Sequence, residues 1–151
     1  MTGMGEGADT LWSIDDPWVH VVGADVEVQD LIANEAEGRV VVILDARRMT
    51  DFEGLMAECQ RAFRLPDYFG RNWPAFDECI RDLSWLPGLE YQVVIEHGNE
   101  LLRDDVEELP TLMRALERAG QTWSRSFARG PEWGGGEVPF NTVIVGSPPE
   151  R

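Results

Sequence analysis

Residues 65–83 read LPDYFGRNWPAFDECIRDL, in which an aromatic loop leads directly into a short helix. Asn72 is a favourable N-cap, because its side-chain oxygen can accept a hydrogen bond from a free amide of the first turn. Pro74 follows where a missing amide is tolerated, so a helix is expected to start near Trp73. Apolar residues then recur at the i, i+3, i+4 and i+7 spacing that buries one side of a helix. They are Phe76, Cys79, Ile80 and Leu83.

The other side of this helix is charged, and the loop before it is aromatic. Four residues fall on the charged side: Asp77, Glu78, Arg81 and Asp82. Three aromatic residues surround Gly70: Tyr68, Phe69 and Trp73. So much aromatic area beside outward, unpaired carboxylates is typical of a recognition surface. The alternative is that the aromatic loop packs on its own core.

The same stretch resembles the barstar family, small acidic inhibitors of secreted bacterial ribonucleases, in which this loop and helix form the inhibitory face. The pattern L-P-x-Y-aromatic-G-x-N and Cys79 carry the resemblance, which extends more weakly from Val40 to Val145. It implies that six residues contact a partner: Tyr68, Gly70, Asn72, Trp73, Asp77 and Glu78. Phe69 joins them as part of the aromatic loop. In the family an acid near the end of a later helix also joins the face, and Glu117 is the nearest match.

Two positions depart from the family pattern. Pro74 stands where the best-known members have an aspartate, and Asp77 stands where they have a tryptophan. One acid is therefore lost and another is gained one turn along the helix. The resemblance implies the class of partner, but not the identity of the partner.

Composition limits the classes of ligand. The 28 acids and 13 bases give a net charge of -15, which argues against nucleic acid or an anionic membrane as a direct ligand and favours a basic protein partner. No apolar run approaches the ~20 residues of a membrane span, and the N-terminus lacks the features of a signal peptide. A cytoplasmic location is therefore expected. Cys59 and Cys79 lie on predicted buried helix faces and are expected to be free thiols.

The rest of the chain predicts one α/β domain with a small, mostly parallel sheet covered by helices. Val40–Leu44 is an unbroken apolar run, typical of a strand buried on both faces, and is the predicted central strand. Tyr91–Glu96 and Phe140–Val145 supply two more strands. The long helical connections between them imply parallel pairing.

Helices are predicted between these strands. Thr50-x-x-Glu53 forms a capping box that opens a helix with apolar residues at 52, 55, 56, 59 and 63. A second helix is predicted from about Asp105 to Ala119, ended by Gly120. Pro110 requires that this helix either starts late or is kinked.

Outside the barstar-like domain, predicted over 39–146, lie two tails and an N-terminal extension. Residues 1–10 and 147–151 are expected to be tails. The extension, 11–38, predicts a strand at about Trp18–Val22 and a short helix, either covering a sheet edge as a fourth strand or serving this subgroup alone. Residues 124–139 are predicted to be a flexible insertion, with Trp133 either packed on the core or exposed to a partner.

The functional prediction is an inhibitor that blocks the active site of a basic ribonuclease or related toxin, with no cofactor and no metal, and a monomer when free. Two alternatives remain. The first is a binding module of the same fold with a non-nuclease partner. The second is an enzyme using Asp77, Glu78, Glu96 and His97, although no second histidine or nucleophile stands at a useful spacing.

Overall fold

Four parallel strands form the centre of the fold. The computed structural model describes residues 11–32, 37–125 and 137–150. The strands are β1 (Val19–Val22), β2 (Arg39–Asp45), β3 (Glu90–Glu96) and β4 (Phe140–Val145). They lie in the order β1-β4-β3-β2, and every neighbouring pair is parallel. The predicted α/β fold is therefore confirmed, and the fourth strand comes from the N-terminal extension.

β2 is an edge strand, so its predicted central position was wrong. It pairs with β3, whereas β3 and β4 occupy the two central places. Val42 and Leu44 are buried, but Ile43, on the opposite face, is 38% exposed. The apolar run therefore predicted burial on both faces where only one face is buried, and it did not give the number of neighbouring strands.

Three of the four α-helices found in the described residues supply the main core. The helices are α1 (Val28–Leu31), α2 (Phe52–Phe63), α3 (Trp73–Ile80) and α4 (Leu109–Ser124), with short 3-10 helices at Ala46–Arg48, Gly98–Glu100 and Val106–Glu108. Residues of α2, α3 and α4 pack with one face of the sheet in a single apolar cluster. Among the residues that the structure describes, no helix is long and apolar enough to cross a membrane.

α2 begins one residue later than its predicted capping box. Asp51 is the N-cap, and its side chain accepts from the Gly54 amide over 2.8 Å. The predicted apolar side is buried as expected. Glu58 is buried as well: its Oε2 accepts from the Asp45 amide at the end of β2 over 3.0 Å and pairs with Arg61 at 2.7 Å. This carboxylate therefore fastens α2 to β2.

α4 starts late, with Pro110 in its first turn, as one of the two alternatives required. It does not end at Gly120. The helix continues to Ser124, and Gly120 lies against Trp18, whose side chain would collide with any Cβ at that position. The glycine is there for close packing, not to stop the helix. The added turn places Trp123 in the core, fully buried.

The chain segment 11–18, called here the N-terminal strap, lies against the second face of the sheet at β3 and β4. Its carbonyls at Leu11 and Ser13 accept from Gln92 Nε2 at 3.3 Å and Asn141 Nδ2 at 2.8 Å. Both amide side chains are completely buried. His20 on β1 donates through Nε2 to Asn141 Oδ1 over 2.9 Å. The Asn141 amide is thus satisfied at both ends by the strap and β1, whereas the buried Oε1 of Gln92 has no hydrogen-bond partner among the described residues.

Some predictions fall on residues outside the described ranges. They concern the tail 1–10, residues 33–36 of the predicted N-terminal helix, Arg151, and the part of the 124–139 insertion that contains Trp133.

Both cysteines are free and buried, as predicted. Burial raises the pKa of the Cys59 and Cys79 thiols, and the nearby charge of Glu58 adds to this at Cys59. Because the thiolate is the reactive form, both should react with a thiol reagent at least about tenfold more slowly in the native protein than in the unfolded one. Titration with a chromogenic disulfide, with and without denaturant, measures this. Rapid native labelling would contradict the buried positions.

Candidate functional site

The loop before α3 exposes the ring of Tyr68, while its neighbouring residues are anchored in the core. Tyr68 is 79% exposed, while Leu65 and Phe69 on either side of it are buried. The Phe69 amide donates to the Pro66 carbonyl over 2.9 Å, and Gln60 Nε2 donates to the same carbonyl over 3.4 Å. Core anchors and hydrogen bonds to α2 therefore hold the loop, so Tyr68 is presented at little cost in loop ordering.

Phe69 was predicted to contact a partner, and the structure corrects this for its side chain. The ring is only 6% exposed and belongs to the main core. Adjacent residues of a turn point to different sides, and the sequence alone does not show which side faces the core. The Phe69 ring therefore anchors the loop in the core, and the Tyr68 ring is the part of the loop that is exposed to a partner.

Asn72 starts α3 as predicted. Its side-chain oxygen accepts from the Ala75 amide over 2.8 Å, and Pro74 lies in the first turn. Gly70, Asn72 and Pro74 are exposed. The face beside Tyr68 is therefore made of a helix N-terminus and its cap.

Trp73 is half-buried, and it connects this face to a residue that the sequence did not indicate. Its Nε1 donates to Glu108 Oε1 over 2.8 Å. Its ring lies 5.5 Å from that of Phe52 and 5.6 Å from that of Phe76. Trp73 therefore offers part of its surface while the indole fixes the start of α3. Glu108 was one acid in an acidic run, and its role depends on a tertiary contact with a residue 35 positions away.

The two acids of α3, Asp77 and Glu78, differ in how accessible they are to a partner. Glu78 is exposed, as predicted. Asp77 was expected to be unpaired, but its side chain is only 18% exposed and pairs with Arg81 at 2.9 Å and Arg118 at 2.8 Å. The prediction of two unpaired outward carboxylates was therefore wrong for Asp77, because α4 brings Arg118 against it.

Glu117 is exposed, but the contacts of α4 do not join it to the acids of α3. It lines a small groove with Asp16, Pro17 and Trp18 of the N-terminal strap. The neighbouring Arg118 reaches Asp77 instead. Successive residues point about 100° apart around a helix, so the two side chains serve different sides of α4.

Glu96 and His97 lie elsewhere, at the carboxyl end of β3. They line an open cavity of about 560 Å³ with Ile32, Ile43 and Val145. Ile95 faces the main core, so Glu96 points to the second sheet face. The four residues of the alternative enzyme site are thus divided between two faces. Among the described residues, no group of three or more His, Cys, Asp or Glu is placed to hold a metal ion.

The chain matches the profile of a known protein family. The family profile described as Barstar (barnase inhibitor) matches residues 39–140. A search of curated proteins found no matching relative. The matched range contains the Tyr68 loop, α3, α4 and strands β2 and β3, and it covers more than half of the chain. The chain therefore belongs to the barstar family.

Proposed function

We propose that this protein inhibits a basic ribonuclease or a related toxin by covering its active site with the face formed by Tyr68, Asn72 and Glu78. The single observation that carries the proposal is Tyr68, an almost fully exposed tyrosine on a loop with buried anchors. Exposed tyrosines on preorganised loops are common binding hot spots. Membership of the barstar family supports a protein partner of the ribonuclease class.

The chemistry of a nuclease cleft explains how such a face can block it. A cleft that binds nucleic acid presents Arg and Lys to phosphate groups. Glu78 is a carboxylate on a short helix, able to occupy a phosphate position and pair with those bases. Tyr68 then covers the adjoining surface and excludes water, which strengthens the ionic contact.

The inhibitor is proposed to act in the cytoplasm, where a nuclease made for secretion threatens the RNA of its own cell. It acts by occupying a site and is proposed to have no turnover of its own. The burial of the Phe69 side chain and the pairing of Asp77 with two arginines leave Tyr68, Asn72 and Glu78 as the proposed contacts. A non-nuclease partner for the same face is the second candidate.

The test is inhibition of a panel of small secreted bacterial ribonucleases that includes barnase. For the panel member inhibited most strongly, Tyr68→Ala and Glu78→Ala should each weaken binding about 30-fold or more, which corresponds to about 2 kcal/mol. The melting temperature should stay within about 2 °C, because both side chains are exposed. Inhibition assays and calorimetry measure the two quantities.

Leu89→Ala and Glu27→Ala are the matched controls. Leu89 is an exposed apolar residue, and Glu27 is an exposed acid on the second side of the sheet. Neither should alter inhibition by more than about twofold. Unchanged inhibition by folded Tyr68→Ala protein would contradict the proposed face. No inhibition of any panel member, together with stable binding to a protein of another class, would favour the second candidate.

A further inference from the structure

Asp77 is held between arginines from two helices. Arg81, the C-cap residue at the end of α3, places Nη2 2.9 Å from Asp77 Oδ2. Arg118, on α4, donates through Nη1 to Oδ1 over 2.8 Å. Arg81 Nε also donates to the Asp77 backbone carbonyl over 3.2 Å. Both carboxylate oxygens are therefore engaged inside the molecule.

The guanidinium groups of Arg81 and Arg118 remain available to a partner, whereas the Asp77 carboxylate is engaged inside the molecule. The Arg118 side chain is 50% exposed and the Arg81 side chain is 37% exposed, against 18% for Asp77. A guanidinium carries more N–H donors than these contacts use. Two positive charges and one negative charge therefore meet at this position, and the outermost groups are positive.

Much of the negative charge of the molecule comes from another part of the sequence. The first base in the chain is Arg39, so residues 1–38 contribute acids only: Glu6, Asp9, Asp15, Asp16, Asp25, Glu27, Asp30, Glu35 and Glu37. Near α3, by contrast, Arg71, Arg81 and Arg118 accompany the acids. The net charge of -15 therefore does not describe the proposed binding face, where the two signs are mixed.

We propose that Arg81 and Arg118 are specificity-determining residues that select which nuclease this face accepts. This inference rests on the proposed inhibitory function. A nuclease with an Asp or Glu opposite the pair gains hydrogen bonds from planar guanidinium groups, which suit carboxylates. A nuclease with Lys or Arg at that place brings like charges together in a desolvated interface and is rejected. The favoured partner is a ribonuclease whose active-site rim carries a carboxylate beside its phosphate-binding bases.

The experiment measures Kd for every nuclease of the panel against wild-type protein, Arg81→Ala and Arg118→Ala. Arg103→Ala is the matched control, because Arg103 is 56% exposed and pairs with Glu100 at 2.8 Å in an ion pair of the same kind, in the segment between β3 and α4 and without a contact to Asp77. For the nuclease that the wild type binds most tightly, each of the two variants should weaken binding at least about tenfold. For the panel member with the most basic cleft, binding should tighten about tenfold, since each variant removes one repelling charge and leaves Asp77 with a single arginine partner.

The ratio between these two Kd values is the decisive quantity. It should change about 100-fold in Arg118→Ala and stay within about twofold in Arg103→Ala. Arg118→Lys, which keeps the charge without the planar fork, should restore only part of the ratio. An equal effect on both nucleases, or no effect, would overturn the inference while the proposed function stands. If wild type and variants inhibit no panel member, the proposed function fails, and the inference fails with it.

Discussion

Trp123→Ala should lower the free energy of unfolding by about 3–5 kcal/mol, the cost of removing a large aromatic side chain from a packed core. Trp123 is fully buried, its ring centroid lies 4.9 Å from that of Tyr91, and its ring stacks on that of Phe140. Its Nε1 also donates to the Ile80 carbonyl at the end of α3 over 2.9 Å. The substitution therefore removes apolar packing and leaves a buried carbonyl without its partner.

Urea unfolding followed by circular dichroism measures this loss. Trp123→Phe should recover much of it, because a ring remains while the hydrogen bond to Ile80 is lost. Trp85→Ala is the second comparison: Trp85 donates similarly to the Phe63 carbonyl, but it is only half-buried, so its loss should be smaller. A loss below about 1 kcal/mol for Trp123→Ala would show that the last turn of α4 does not pack as described.

Glu58→Ala should destabilise the protein by about 1–3 kcal/mol at neutral pH, because the partly buried Asp45 amide loses its acceptor. Glu58→Gln should lose less, since the Gln side-chain oxygen can still accept from that amide. Glu53→Ala, at an exposed acid in the first turn of the same helix, should stay within about 0.5 kcal/mol. The same urea titrations measure all three variants.

The contribution of Glu58 should also depend on pH. Burial raises the pKa of this carboxyl. The hydrogen bonds from Arg61 and the Asp45 amide lower it by more than burial raises it, so the pKa of Glu58 lies below the ordinary value of 4.5. A lowered folded-state pKa stabilises the protein above the unfolded-state pKa, and this stabilisation is lost as the pH falls through the folded-state value. The difference between wild type and Glu58→Gln should therefore shrink between neutral pH and about pH 3. A difference that grows on acidification would contradict the described contacts.

Local patterns predicted most of the elements. The N-cap at Asn72, the buried side of α3 and the strands from Tyr91 and Phe140 depend on residues close together in sequence, and the structure has them where they were expected. Parallel pairing followed from the length of the connections, which is also local information.

The errors share a different cause, because each involves a partner far away in sequence. Gly120 was interpreted as a helix stop, since its contact with Trp18 cannot be inferred from the residues around it. Asp77 was expected to be unpaired because Arg118 lies 41 residues further on. Phe69 and Tyr68 have similar side chains, and only the packing of the core against the loop separates the buried ring from the exposed one.

The N-terminal strap has a consequence for how this chain can be shortened. The family match begins at residue 39, yet the carbonyls that accept hydrogen bonds from the buried Gln92 and Asn141 side chains lie at Leu11 and Ser13. A fragment that starts at residue 39 would lose both acceptors together with β1, so β4 would become an edge strand and this part of the sheet would open to water. A fragment intended to keep the fold should therefore include the residues from Leu11 onward, even though the family match begins later.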